Sequence, residues 1–353
     1  MTQNSTVAEL EQKLLREVSR SFALTIPQLS PALRRQVAIA YLLCRIVDTI
    51  EDDAGLTLAQ KHMYMDHFLA VVDDRASPEQ FADGLCRVLS DQTAGGEKDL
   101  IRNTPRVVEM FFTFTPQQRT AILRCLQIMG HGMLEFQAGE QRHGLENLGR
   151  MDRYCYYVAG VVGEMLTELF CDYSEAIAVH RERLLELAPS FGQGLQMTNI
   201  LKDFWEDRAR GACWLPRDVF TAAGCDLNAV GVGYDRTAFG RGLTALIGIT
   251  RGHLENALAF TLLIPPNETG IRKFCLWAIG MAVFTLRKIA NNPDYSRSSD
   301  VKISRNTTRT IIFVSNATLR SNFLLQSLFG LSVRGLPRTG FERTYYMNFY
   351  PTI

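Results

Sequence analysis

Several common signatures are missing from this chain, and each absence removes a class of function. There are eight cysteines, at positions 44, 86, 125, 155, 171, 213, 225 and 275, yet no two stand at C-x-x-C spacing. Several, such as Cys44 and Cys125, lie inside apolar helical runs. They read as reduced, buried small hydrophobes of a cytosolic protein, not as a disulfide frame or a zinc site. The segment from Met1 to Leu10 has no basic patch leading into an apolar run, so no signal peptide is expected. No stretch offers about 20 uninterrupted apolar residues. The nearest, from Ile311 to Val333, is broken by Asn316, Arg320, Ser321, Asn322 and Gln326. It predicts no transmembrane helix but leaves room for one lying in a membrane interface.

Charge of one sign is also lacking. The formal net charge is +1, so no global field recommends nucleic acid or an anionic surface, and any functional charge must be local. No G-x-G-x-x-G follows a strand-like run, which leaves no Rossmann site to point to. Repeats of 20–50 residues, heptad arrays and low-complexity tracts are absent.

What remains is helical. Apolar residues make up 46% and charged residues 21%, enough to bury a sizeable core. Periodicity predicts helices over roughly 7–24, 31–53, 58–73, 78–91, 117–138, 151–171, 176–207, 235–261, 269–290 and 308–328. Ser30-Pro31 and Ser77-Pro78 open helices, Asn291-Asn292-Pro293 closes one, and Ala94-Gly95-Gly96 reads as a flexible connector. The expectation is one large all-α domain over residues 1–353, with the Ser-, Thr- and Asn-rich stretch 306–353 as a loosely attached helical appendage.

Two places depart from ordinary helix design. The segment from Pro31 is apolar nearly all round, so Arg45, Asp48, Glu51 and Asp52 need a reason to be there. Tyr41, Arg45, Asp48 and Asp52 are spaced four, three and four, which places them on one face. Three carboxylates within about one and a half turns repel unless something positive sits among them. About 150 residues later, Gln196, Asn199, Asp203 and Asp207 are spaced three, four and four on another largely apolar helix. Both stripes end in the lettering D-x-x-E-D. Packed face to face, they would line a cleft with oxygen. Oxygen donors without His or Cys suit a hard cation, and Mg²⁺ takes one or two carboxylates with water and substrate phosphate completing its shell. Carboxylates repel a bare phosphate, so the pattern makes sense if metal bridges acid to diphosphate. Arg20, Arg45 and Lys202 are the basic candidates to complete the cradle.

At this point the sequence resembles the squalene/phytoene synthase family of head-to-head prenyl transferases. The resemblance rests on Val18-Ser19-Arg20-Ser21-Phe22, Arg45 through Asp53, Met129-Gly130-His131-Gly132-Met133 with Phe136, YCYYVAGVVG from Tyr154 to Gly163, and Gln196 through Asp207. It implies a single helical bundle of the isoprenoid synthase type around a central cavity. Asp48, Glu51, Asp52, Asn199, Asp203 and Asp207 would hold Mg²⁺. Ser19, Arg20, Ser21, Phe22, Tyr41, Arg45, Gln196, Asn199 and Lys202 would bind substrate. Asp48, Asp52, Asp203 and Asp207 would act in catalysis, with Tyr154 steering the cation or removing a proton. Two farnesyl diphosphates would join through presqualene diphosphate. Phe274-Cys275 and Val301-Lys302-Ile303-Ser304-Arg305 resemble the reductive branch that forms squalene with NADPH, and Phe274, Lys302 and Arg305 would meet that cofactor. The alternative is a non-reductive dehydrosqualene, phytoene or presqualene diphosphate synthase.

An allylic cation needs a dry pocket, for which Phe22, Met129, Met133, Phe136, Val158, Val161, Leu166 and Phe274 are candidate walls. Tyr157, Gly160 and Gly163 share a face with Tyr154 whose small residues would let another helix or the substrate approach. Ala212 stands where the family commonly has arginine, with Arg208 and Arg210 nearby to substitute, and Ala278 stands where proline is common. The expected location is cytoplasmic, with peripheral membrane contact at product release.

Overall fold

The computed structural model describes residues 2–19, 22–137, 141–231 and 233–339. Among them the structure is helical, with no strand and one isolated bridge between Leu145 and Pro216. The chain divides into two compact units. The first comprises Met1–Ala138 with Glu164–Arg181, and the second Gly139–Gly163 with Glu182–Ile353.

The first unit is built round the helix Pro31–Asp52. Proline at its first turn pre-sets the backbone, and Leu33, Val37 to Ala40, Leu42 to Cys44, Ile46, Val47 and Ile50 are buried along it. A helix apolar on every side must be covered on every side. Thr2–Val18, Leu58–Val72, Gly95–Arg102, Thr104–Phe112 and Pro116–Gln137 pack against it. Two of these, Gly95–Arg102 and Thr104–Phe112, stand where the sequence predicts no helix. Ala94-Gly95-Gly96 is no connector: Gly95–Arg102 is a helix starting there, and an added Cβ on Gly96 would lie 2.9 Å from the Glu17 carbonyl oxygen. A short charged helix shows too little apolar periodicity to be read. Asp53, next to the first acidic pentad, has a structural job, accepting hydrogen bonds from the backbone N–H of Gly55 at 2.8 Å and of Ser90 at 3.1 Å.

In the second unit the helix Leu148–Cys155 continues through a π-helical turn, Tyr156–Gly160, and on into Val161–Tyr173, whose residues from Glu164 belong to the first unit. Asn147 caps it by accepting from the Arg150 N–H at 2.9 Å. The long helix Arg181–Ala209 lies directly on this turn. A Cβ on Gly192 would sit 2.0 Å from the Ala159 carbonyl oxygen, and one on Gly163 2.2 Å from that of Ala188. The expected small-residue face is therefore occupied by a helix. Gly211, at φ +86°, ends the long helix in the left-handed conformation that glycine adopts at least cost.

Arg236–Leu263 and Thr269–Asn291 pack together. Thr269–Asn291 has the length and mean hydropathy (1.3) of a membrane span, but 61% of that window is buried within the protein, as in a core helix. The stretch expected to be one helix over 308–328 is two, Arg305–Thr318 and Asn322–Ser332. Leu319 and Leu325 pack with Leu258 and Leu276. The fully buried Arg272 donates to the Leu319 carbonyl at 2.9 Å and to Asn322 Oδ1 at 2.7 Å, across the break between the two helices. All eight cysteines are free, six of them buried.

Backbone-to-backbone packing this close predicts that Gly192→Ala destabilises the protein by at least ~2 kcal/mol through overpacking. Urea unfolding should show a lower midpoint at an unchanged slope. Gly95→Ala, where a Cβ meets nothing within 4 Å, is the neutral control.

Candidate active site

Helix periodicity in the first unit gathers the expected residues into one connected group. The Ser19 hydroxyl accepts from the Phe22 N–H at 3.0 Å. The Phe22 and Tyr41 rings lie 4.9 Å apart, and the Tyr41 hydroxyl donates to the Val18 carbonyl at 3.4 Å. One turn on, Arg45 Nη1 meets Asp48 Oδ2 at 3.0 Å, and its Nη2 pairs with Glu97. Arg20 and Ser21 lie outside the described residues.

The carboxyls feel their surroundings strongly. Burial pushes Asp48 up to about 6, and the Asp52 charge adds to this while Arg45 opposes it. Glu51 is only 2% exposed and is also pushed well up, first by burial and then by Asp52. Its side chain accepts from Gln137, and its backbone carbonyl accepts from Lys61. Asp48 and the exposed Asp52 thus present one face of the helix, while Glu51 is turned into the packing around Gln137. A carboxylate held at a raised pKa beside another carboxylate is a place where a cation lowers the energy.

The second stripe is laid out along Arg181–Ala209 in the other unit. Lys202 Nζ is 3.1 Å from Asn199 Oδ1 and 3.1 Å from Asp203 Oδ2. Asp207 pairs with Arg210. Arg208 instead donates to the Asn228 and Val230 carbonyls, so of the two arginines near Ala212 it is Arg210 that stands at the acidic motif. Glu206, the counterpart of Glu51 in the lettering, accepts from the Ser298 N–H at 2.7 Å. Its pKa is raised by partial burial but lowered overall by this hydrogen bond. Gln196 is half-buried on the stripe.

Tyr154 is 5% exposed and stacks on Trp214, with ring centroids 4.0 Å apart and planes 6° apart. Sequence reasoning passed over Trp214, which follows the long helix outside any periodic run. It also passed over Tyr295, whose hydroxyl donates to the Leu201 carbonyl beneath the stripe. Of the expected cofactor residues, Phe274 is buried within its helix at 4% exposure, whereas Lys302 and Arg305 are exposed at the start of Arg305–Thr318.

All the donors on both stripes are oxygen, the set a hard divalent cation takes. Among the described residues no three His, Cys, Asp or Glu side chains form a ready-made metal cluster.

The helical fold is shared with solved structures. A solved complex of TcSQS with a ligand superposes with a TM-score of 0.74 at 22% identity, covering 97% of this chain and 96% of that one. A profile described as squalene/phytoene synthase matches residues 15–307, and the chain belongs to that family. It is 30% identical over 319 residues to a squalene synthase of Eremothecium gossypii, covering 89% of this chain and 69% of the relative. A squalene synthase of Botryococcus braunii is 31% identical over 313 residues, covering 86% and 64%. The chain thus spans about two thirds of the length of these curated relatives.

Asp48 supplies a test that reads charge directly. Its pKa in the folded protein, about 6, lies above the ordinary 3.8. Holding it ionised therefore costs stability above pH 6, about 3 kcal/mol at most, and the cost fades as pH falls through 6 towards 4. Asp48→Asn should accordingly be more stable than the parent at pH 8 and lose that advantage by pH 4, measured by denaturant unfolding across pH.

Proposed function

We propose that this chain joins two farnesyl diphosphates head to head through presqualene diphosphate and, with NADPH, forms squalene. The observation that carries this reading is that the family match over residues 15–307 runs through both acidic stripes and Tyr154. The similarity to proteins named squalene synthase supports the reductive product over the dehydrosqualene or phytoene type.

In this reading Asp48 and Asp52, with Asn199, Asp203 and Asp207, hold Mg²⁺, and Glu51 supports Asp52 from the buried side. Bound Mg²⁺ supplies the positive charge that neutralises the diphosphates and stabilises them as leaving groups. Arg45, Lys202 and Arg20 add fixed positive charge beside the phosphates, and Ser19, Ser21, Phe22, Tyr41 and Gln196 orient the substrates. Tyr154, its ring fixed against Trp214, presents a face that stabilises a passing cation and a hydroxyl able to exchange a proton. Side chains such as Met129, Met133 and Phe136, all buried, help keep water from that cation. NADPH supplies the hydride that ends the sequence. Exposed Lys302 and Arg305 at a helix N-terminus suit its phosphates, with Phe274 as the apolar partner in this assignment. We take residues 1–353 to act as one catalytic domain in the cytoplasm, in peripheral contact with a membrane, a location that the free cysteines suit.

The test is product analysis after incubation with farnesyl diphosphate and Mg²⁺. Squalene is expected only when NADPH is present. Squalene forming equally without it rejects the reductive reading, and dehydrosqualene or presqualene diphosphate as end product under both conditions supports the non-reductive one. Asp203→Asn should lower turnover by roughly a thousandfold. Tyr154→Phe, which keeps the stacked ring, should cost about a hundredfold in kcat with little loss of stability.

A further inference from the structure

The last helices of the second unit present a surface that the catalytic reading does not use. Four of the nine large apolar side chains exposed among the described residues fall within one short stretch: Phe313 (74%), Phe323 (74%), Leu324 (44%) and Leu331 (64%). Phe323 and Leu331 are eight residues apart, two turns of Asn322–Ser332, with Leu324 beside them, so all three share one outward face. The opposite face is committed, because Leu325 is buried and Phe329 packs with it against Leu258 and Leu276. Arg272 pins the break between Arg305–Thr318 and Asn322–Ser332, and Arg287 donates to the Ser332 carbonyl at 2.8 Å. The outward face is thus held rigidly in place, not exposed by fraying.

Charge says what this face meets. From Asp300 to Glu342 the sequence holds six basic residues, Lys302, Arg305, Arg309, Arg320, Arg334 and Arg338, and no Asp or Glu between them. All six are exposed, in a chain whose formal net charge is only +1, and apart from Lys302 and Arg305, assigned above to NADPH, the catalytic reading uses none of them. Arg309 lies one turn before Phe313 on the same helix, and Arg320 stands in the turn between that helix and Asn322–Ser332. Exposed Phe and Leu rimmed by arginine without acids is the composition of an interfacial helix on an anionic bilayer, where the rings enter the headgroup boundary and the guanidinium groups meet lipid phosphate. A groove of about 460 Å³ between Thr269–Asn291 and the two terminal helices, lined by Leu276, Ile279, Ile311, Val314, Leu328 and Phe329, gives an acyl chain an apolar slot on the same element.

We propose that the helices Arg305–Thr318 and Asn322–Ser332 dock this protein onto an anionic lipid bilayer through Phe313, Phe323, Leu324 and Leu331 and their arginine rim. The proposal gives a surface and a lipid class to the peripheral membrane contact proposed above. It is tested without substrate, so its failure leaves the product assay standing.

The experiment is co-sedimentation of the full chain with vesicles of phosphatidylcholine alone or mixed with phosphatidylglycerol, at low and high salt. Binding is expected to the mixed vesicles and to weaken as salt rises. The triple variant Phe323→Ser, Leu324→Ser, Leu331→Ser should lower partitioning at least ~tenfold. The pair Arg309→Gln, Arg320→Gln should lower it several-fold, with turnover in detergent solution unchanged for both. Failure to bind anionic vesicles, or equal binding by the triple variant, overturns the proposal. So does conversion of an oligomer to a monomer by the triple variant, which would assign the face to a second copy of the chain. Vesicle binding that appears only once residues 340–353 are removed would assign it to that segment and overturn the proposal equally.

Discussion

Asp48, Glu51 and Asp52 stand on a helix thirteen of whose twenty-two residues are buried, and a carboxylate taken out of water must find compensation or protonate. Here the compensation is partial. Arg45 reaches Asp48, but it is shared with Glu97, and Asp48 remains pushed up to about 6. Much of the first unit follows from that imbalance. Lys61 and Gln137 close round Glu51, while Asp53 turns away to organise the Ser90 loop. A helix carrying unrelieved negative charge at a fixed place is less stable without a cation than with one, and in the proposed function that imbalance keeps the site ready for metal and diphosphate at the expense of the resting fold.

The second unit solves a different problem, that of placing an aromatic hydroxyl with little freedom to move. The π-turn Tyr156–Gly160 shifts the helix register just after Tyr154, at the kind of irregularity that clusters at functional sites. Gly163 and Gly192 let the long acidic helix press on that segment until carbonyls and Cα atoms touch. The stack on Trp214 then fixes the Tyr154 ring plane. Gly192 and the acidic residues lie on the same helix, so the packing that positions the tyrosine also sets the rotation of the stripe from Gln196 to Asp207.

Much of this was legible in the sequence because helical spacing is a geometric code. The four-three-four and three-four-four intervals put Tyr41, Arg45, Asp48 and Asp52 on one face, and Gln196, Asn199, Asp203 and Asp207 on another, before any coordinates. Long apolar runs located their helices to within a few residues. The misses have physical reasons. Gly95–Arg102 is short and charged, so periodicity is silent there, and with it went Glu97, the second partner of Arg45. The break at Leu319 to Ser321 depends on Arg272, 47 residues from the carbonyl it binds, and no local pattern reports a contact at that distance. Trp214 and Tyr295 matter through tertiary stacking and a single hydrogen bond. Glu51 and Glu206 share a place in the pentad lettering, yet one is buried on Gln137 and the other bound to the Ser298 backbone. Identical lettering does not fix identical roles.

Whether the acidic stripes bind diphosphate through metal is tested most directly by calorimetric titration with farnesyl thiodiphosphate, an unreactive substrate analogue. The protein and its Asp48→Asn and Asp203→Asn variants would be compared with Mg²⁺ and with chelator. Tight binding is expected only when Mg²⁺ is present, with at least ~tenfold weaker binding for either variant. Equal affinity with and without Mg²⁺, or parent-like affinity in both variants, would contradict binding through metal.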